Sequence, residues 1–286
     1  MKTVRWEWAL YAVLCAPLLV VLSGCATEQA ASRAEAPAAQ GPAPQAVAEP
    51  TEPRAILLRM AQFLARTPRF SVNLQGSYDV LQGSGQMIEF GEMRKVTVSR
   101  PNGLRVEEEH SDGEQHLVLY DGKDITVFSP SQNVYAQASK PGGIDAAVMY
   151  FLRDLHMRLP LAALFHSRLP ENIQRRTQSL DYVESARIDG QPTHHLAGRT
   201  ETVDYQVWIT EGAQPLPLRA VLTYKNAEGK PQFRAEFHDW NLAPEVEDSQ
   251  FAFTPPDGAR KIAFVAEMPQ IELQGATTPK QTGGQK

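Results

Sequence analysis

The sequence predicts a mostly β domain with some helix (α+β), built on a long antiparallel sheet. One helix stands at its start and a helical pair is set into its middle. Three observations carry this reading. Apolar residues alternate with polar ones over many short runs after residue 70, as in strands that bury one face. Two Asp-Gly pairs, Asp121-Gly122 and Asp189-Gly190, each separate two such runs and mark hairpins. Apolar residues follow a helical period in only two places, near residue 56 and near residue 144.

The elements follow in order. From Pro53, the residues Ile56, Leu57, Met60, Phe63 and Leu64 recur on one face of a 3.6-residue repeat. Pro53 suits the start of that helix and Pro68 its end. Residues 116–120 and 125–129 flank the first Asp-Gly turn, and residues 182–188 and 193–197 flank the second. Between these hairpins, Ile144, Val148, Phe151, Leu152 and Leu155 return to helical spacing, and Leu159-Pro160 leads into Leu161, Leu164 and Phe165. Strand alternation then resumes in Tyr205, Val207 and Ile209, in Leu218, Ala220, Leu222 and Tyr224, and in Phe233, Ala235 and Phe237. Further elements are expected around residues 251–253 and 261–265. A large sheet of this kind can curl around its helices and leave an apolar concavity.

The N-terminus reads as a targeting segment. Lys2 and Arg5 precede an apolar run from Ala9 to Leu22, too short to span a bilayer comfortably and suited to a signal peptide. The run ends in Leu22-Ser23-Gly24-Cys25, which resembles a bacterial lipobox. Small residues at Ser23 and Gly24 fit a peptidase cleft, and the Cys25 thiol would carry the lipid. Residues 1–24 are then the lipoprotein signal peptide. Multiple acyl chains on Cys25 would anchor the chain to a membrane stably, where one chain alone is marginal. By resemblance to Gram-negative lipoproteins, Ala26 rather than Asp after the cysteine implies sorting to the outer membrane. Residues 26–53 hold 10 Ala and 5 Pro, a composition that packs no core, so residues 25–53 form a flexible tether of roughly 30 Å. Residues 54–274 form a single domain, and 275–286 a polar, disordered tail.

Composition excludes several classes. Of 286 residues, 42% are hydrophobic and 21% charged, ordinary globular usage. A net charge of −5 argues against a nucleic-acid partner. Two cysteines, one of them within the signal, leave the mature chain no disulfide. Adjacent His194 and His195 on a strand point to opposite faces and do not readily share a metal ion. Gly83-Ser84-Gly85 lacks the Lys-Ser/Thr of a phosphate cradle, and no nucleophile elbow or HExxH helix is present. Glu107-Glu108-Glu109 reads as a solvated strand without a clustered partner, and Arg105 and Arg219 as exposed strand arginines. No catalytic residue, no metal site and no cofactor are expected.

An ordered series of segments carries a family resemblance. It runs through Arg100-Pro101-Asn102, Leu104-Arg105, Val118 to Lys123, Thr126, Tyr135, Ile188-Asp189-Gly190 and His194-His195-Leu196. It continues through Trp208, Pro215, Pro217 and Asp239-Trp240 to Phe251-Ala252-Phe253-Thr254-Pro255-Pro256-Asp257-Gly258. Together they resemble a bacterial family of predicted periplasmic proteins of unassigned function, similar in fold to the outer-membrane lipoprotein carriers and receptors LolA and LolB. The resemblance spans roughly residues 54–266. It implies a strongly curved antiparallel half-barrel, with helices packed in or over its concave side and a cavity for acyl chains.

Met60, Phe63, Ile144, Val148, Phe151, Leu152, Leu155, Phe233 and Phe237 are the candidates to line or cover such a cavity. Each fits equally the ordinary core face of its element. Two functions are therefore expected: a periplasmic, lipid-anchored protein that binds or carries a lipid, an acyl chain or another hydrophobic ligand, or an envelope sensor or assembly factor that binds a protein partner with a filled interior.

Overall fold

The computed structural model describes residues 52–154 and 160–264. Cys25 and Leu155 lie outside these, as does the side chain of Leu152. A first helix, α1 (Pro53–Arg66), is followed by β1 (Arg69–Leu81), β2 (Met87–Ser99), β3 (Gly103–His110), β4 (Gln115–Tyr120), β5 (Asp124–Ser129) and β6 (Val134–Ser139). Then come α2 (Ile144–Arg153), a 3-10 turn (Ala162–Phe165) and α3 (Leu169–Arg176). The chain returns to the sheet with β7 (Ser179–Ile188), β8 (Gln191–Arg199), β9 (Val203–Thr210), β10 (Pro217–Tyr224), β11 (Gln232–Asn241) and β12 (Arg260–Ile262).

These strands form one curled sheet in the order β12-β6-β5-β4-β3-β2-β1-β11-β10-β9-β8-β7. It consists of two meanders joined where β1 pairs with β11. Each meander pairs sequence neighbours antiparallel, and among the described residues only the short β12 runs parallel to its neighbour, β6. The helical segment leaves β6, near one edge, and re-enters the sheet at β7, the other edge. This α+β architecture agrees with the predicted fold class.

Local chemistry explains the boundaries. Glu52 caps α1, its carboxylate accepting from the backbone N–H of Arg54 at 3.0 Å and of Ala55 at 2.7 Å. Thr67 ends the helix by donating its N–H to the Phe63 carbonyl at 3.0 Å, and Pro68 follows. At the β4–β5 turn Asp121 Oδ1 accepts from the N–H groups of Lys123 and Asp124 at 2.9 and 2.8 Å. At the β7–β8 turn both Asp189 and Gly190 have positive φ, +48° and +77°, the backbone of a tight type I′ hairpin.

Two expectations from the sequence are corrected. Residues 251–253 are not a strand. A 3-10 turn, Asp248–Gln250, precedes them, and Phe251 packs on Gly103, where a β-carbon would stand 2.8 Å from the ring. Phe253 packs against Phe128 and Tyr135, with ring centroids at 5.4 and 5.0 Å. This segment straps one face of the sheet on its way to β12, and its prolines oppose ladder pairing. The second correction is α3, a separate helix beyond the expected pair. Its polar sequence buries only Leu169, so it lacks the apolar stripe that reveals a helix.

Candidate functional site: an apolar cavity beneath the helices

The core divides into two clusters. One gathers α2 residues Ile144, Val148 and Phe151 with β1–β6 side chains such as Val98, Tyr120 and Ile125, and with Phe233 and Phe237 of β11. The other gathers α1 residues Leu57, Met60 and Leu64 with Leu169 of α3 and with Leu196, Val207 and Ile209 of β8 and β9. Each meander thus has its own helix over the inner face.

A cavity of about 240 Å³ lies where these clusters meet. Leu57 and Met60 of α1, Val148 and Met149 of α2, and Leu164 of the 3-10 turn form its helical wall. Leu169 and Ile173 of α3 extend that wall, and Val207, Ala220, Leu222 and Phe237 supply the sheet side. Two of the polar groups on the lining pair with each other: Thr177 and Tyr205 share a 2.9 Å hydrogen bond between their hydroxyls. Burial lifts the Tyr205 phenol above its usual pKa, opposed in part by that hydrogen bond. Gly198 makes room for this ring, since a β-carbon there would stand 2.6 Å from Tyr205 Cε2 and overlap the ring. A mainly apolar lining with a few polar groups at its margin is the usual composition of a site for a hydrophobic ligand.

The helices are fastened at this seam by Arg100. Its guanidinium donates to the carbonyls of Phe165 at 2.8 Å, Thr67 at 3.2 Å and Leu64 at 3.4 Å, joining the end of α1 to the 3-10 turn. A cation suits the unpaired carbonyls at a helix C-terminus. Burial lowers the Arg100 pKa, against the pull of nearby Asp145. Asp145 in turn accepts from the N–H of Ser167 at 2.8 Å and from the Ser167 hydroxyl, tying α2 to the segment before α3.

The structure separates the apolar candidates. Met60, Val148 and Phe237 line the cavity. Phe151 belongs to a much smaller space of about 40 Å³ under α2, which Val148 also borders. Ile144 and Phe233 are buried in the first core cluster without lining either space. Phe63 is half-buried on the outer flank of α1, against the second cluster. The wall residues missed by sequence reasoning are mostly those of α3 and the 3-10 turn, where no period of apolar residues pointed inward.

Among the polar candidates, His195 is buried and stacks on Trp208 with centroids 4.0 Å apart, while His194 faces Tyr182. Arg219 lies over Trp208 and Arg105 pairs with Glu107, so both arginines are engaged within the sheet. Glu108 departs from the solvated-strand expectation. Strand register sets Arg94 and His116 on either side of it, a contact that spacing along the chain does not reveal.

No curated protein matches this chain. Among solved structures, it is similar to the lipoprotein LppX of Mycobacterium tuberculosis, at 16% identity and a TM-score of 0.41, over 68% of this chain and 98% of that one. It is similar to a LolA superfamily protein from Nitrosomonas europaea, at 13% identity and a TM-score of 0.34, over 70% and 97% of the two chains. It is also similar to a chain of the MucA/MucB complex of Pseudomonas aeruginosa, at 18% identity and a TM-score of 0.37, over 70% of this chain and 60% of that one. Residues 54–265 match the family described as predicted periplasmic protein (DUF2092), and the chain belongs to that family.

Proposed function

We propose that this chain is a non-enzymatic lipoprotein, anchored through Cys25 to the periplasmic face of the outer membrane, that holds an acyl chain or similar apolar molecule beneath its helices. The observation that supports this reading is the cavity of about 240 Å³ at the seam of the two core clusters, walled by α1, α2, α3 and the sheet. Its volume is below the range of about 300–1,000 Å³ typical of drug-sized ligands, which suits one chain better than a multi-chain lipid. Each methylene buried there contributes about 0.8 kcal/mol, so a chain several carbons long is held by burial alone. The Thr177–Tyr205 pair offers one polar contact for an ester or headgroup oxygen. The tether of residues 25–53 would let the domain reach from its anchor.

The test is native mass spectrometry of a Cys25→Ser chain exported to the periplasm, followed by solvent extraction. A stoichiometric apolar adduct is expected, and Ala220→Leu, which fills the cavity, removes it. A clean apo mass that persists after incubation with envelope lipids overturns the reading.

One observation favours a second reading, a protein-binding sensor or assembly factor. The β1–β2 hairpin carries Val80, Ile88 and Phe90 near its end, each 37% exposed. Burying such side chains is a usual contribution of a partner. Under that reading a protein partner co-purifies with the tethered chain, and Phe90→Asp releases it.

A further inference from the structure

Along β2, β3 and β4 the inner face changes character. Val96, Leu104 and Val118 are buried under α2. Further along the same face stand Glu92 and Arg94, Glu108 and His110, and His116. Register sets Glu92 opposite His110, Arg94 opposite Glu108, and Glu108 opposite His116. Side chains scattered over 25 residues of sequence thereby become neighbours.

The two oxygens of Glu108 are used differently. Oε1 accepts from Arg94 Nε at 2.9 Å and stands 2.7 Å from Arg94 Nη2. Oε2 faces the histidines, 3.8 Å from His110 Nε2 and 4.0 Å from His116 Nδ1. One ligand atom from each of Glu108, His110 and His116 lies within 4.8 Å of the others. Glu114 stands behind the second histidine, its Oε1 3.4 Å from His116 Nε2. A carboxylate beside the second ring nitrogen is the arrangement that orients a metal-binding histidine.

Glu92, on the same face beside the cluster, is also unusual. Its side chain is only 4% exposed, and Oε2 accepts from Arg94 at 2.9 Å. Oε1 is buried and has no hydrogen-bond partner among the described residues. Gly76 lies across from it on β1, where a β-carbon would stand 3.0 Å from that oxygen. A buried carboxylate oxygen left unpaired is costly, and burial raises the Glu92 pKa toward the neutral form.

We propose that Glu108, His110 and His116 bind a divalent transition-metal ion of the zinc type. Two imidazoles and one carboxylate form a borderline-soft donor set suited to zinc, and three protein ligands leave a fourth position for water. Tetrahedral bonds of zinc length set donor atoms roughly 3.4 Å apart, so small side-chain rotations bring the observed separations into range. Glu108 and Glu114 both stand within 4.0 Å of the histidines while Arg94 is the cation beside them, so acidic groups predominate at the site and favour a cation. The proposal does not depend on the cavity, because the ligands belong to the β2–β4 face and no apolar molecule is needed.

Zinc alone is the probe. The full chain, freed of metal with a chelator and kept in detergent, is titrated with zinc against a chromophoric competitor. One zinc per chain is expected, with affinity in the micromolar range or tighter. His110→Asn and His116→Asn each lower that affinity by at least about 100-fold, and Glu114→Gln by about 10- to 100-fold. His194→Ala, on the other meander, leaves it unchanged. Zinc also raises the melting temperature of the parent chain, and that rise disappears in the two histidine variants. The absence of saturable binding overturns the proposal, as does full-affinity binding in both folded histidine variants.

Discussion

Beneath α2 the meander β1–β6 is packed nearly solid, whereas toward α1 and α3 the fold leaves about 240 Å³ open. On the first side Phe151, Tyr120 and Val98 are completely enclosed, and the residual space is about 40 Å³. On the second side the inner face presents smaller groups, Ala220 and Gly198 among them. The helix above it, α3, brings polar residues such as Asn172 and Arg176 to the lining. Two meanders of one sheet, each with a helix over its inner face, thus differ in whether their side-chain volumes add up to a filled interior. Close packing is the default for a protein interior, so the shortfall at the seam is what distinguishes the two sides.

The contrast is open to direct attack, beginning where the effects are largest. Phe151→Ala on the filled side should cost about 3–5 kcal/mol in urea unfolding, the range for deleting a buried aromatic ring. A loss below about 1 kcal/mol would show that α2 is not packed as described. Arg100→Met leaves the carbonyls at the α1 terminus and at Phe165 without their donor. A loss of about 3 kcal/mol is expected, with α1 exchanging its amide hydrogens sooner than the β1–β2 hairpin.

Enlarging an alanine on each side gives the sharpest comparison. Ala147 of α2 is fully enclosed, so Ala147→Leu should destabilise by about 1–3 kcal/mol through overpacking. Ala220→Leu extends into open space and should change stability by less than about 1 kcal/mol while excluding an apolar ligand. Equal costs at the two positions would erase the distinction between the halves. Gly198→Ala, next in size, should cost about 1–2 kcal/mol because Tyr205 must leave its place and lose its bond to Thr177.

The smallest effect concerns the joint between the meanders. Asp79 of β1 accepts from Arg234 Nη1 at 2.9 Å and from the Gln232 N–H at 2.9 Å, both on the β11 side. Burial by itself would raise this carboxyl, but the Arg234 and Gln232 contacts together hold it below the ordinary value of 3.8. Its contribution to stability is therefore present above that value and is lost as the pH falls through the lowered one. Asp79→Asn should flatten the acid limb of the stability curve by about 1 kcal/mol or less, measured by urea unfolding from pH 5 downward. An unchanged acid limb would place the pH sensitivity elsewhere.

Much of this architecture was legible in the chain. The α1 stripe, the two Asp-Gly turns and the period-two runs act through neighbours a few residues apart, so each element declares itself locally. The strap at Phe251–Phe253 read as a strand because alternating aromatic residues look alike whether a backbone is paired or merely laid across a face. Helix α3 stayed hidden because it buries one leucine and little else. The signal and lipobox ending at Cys25 lie outside the described residues and rest on sequence alone.

What the sequence determined by itself is the set of local conformations: which segments pleat, which coil, where the chain turns back, and which face of each element is apolar. Only the tertiary structure decided that Met60, Val148 and Phe237 meet around an unfilled space while Ile144 and Phe233 do not. It also decided that Glu108 has two histidines beside it. The physical reason is the same in both cases. A cavity is a difference between volumes contributed by distant segments, and a cross-strand cluster depends on pairing register. Neither quantity is written in the spacing of residues along one strand.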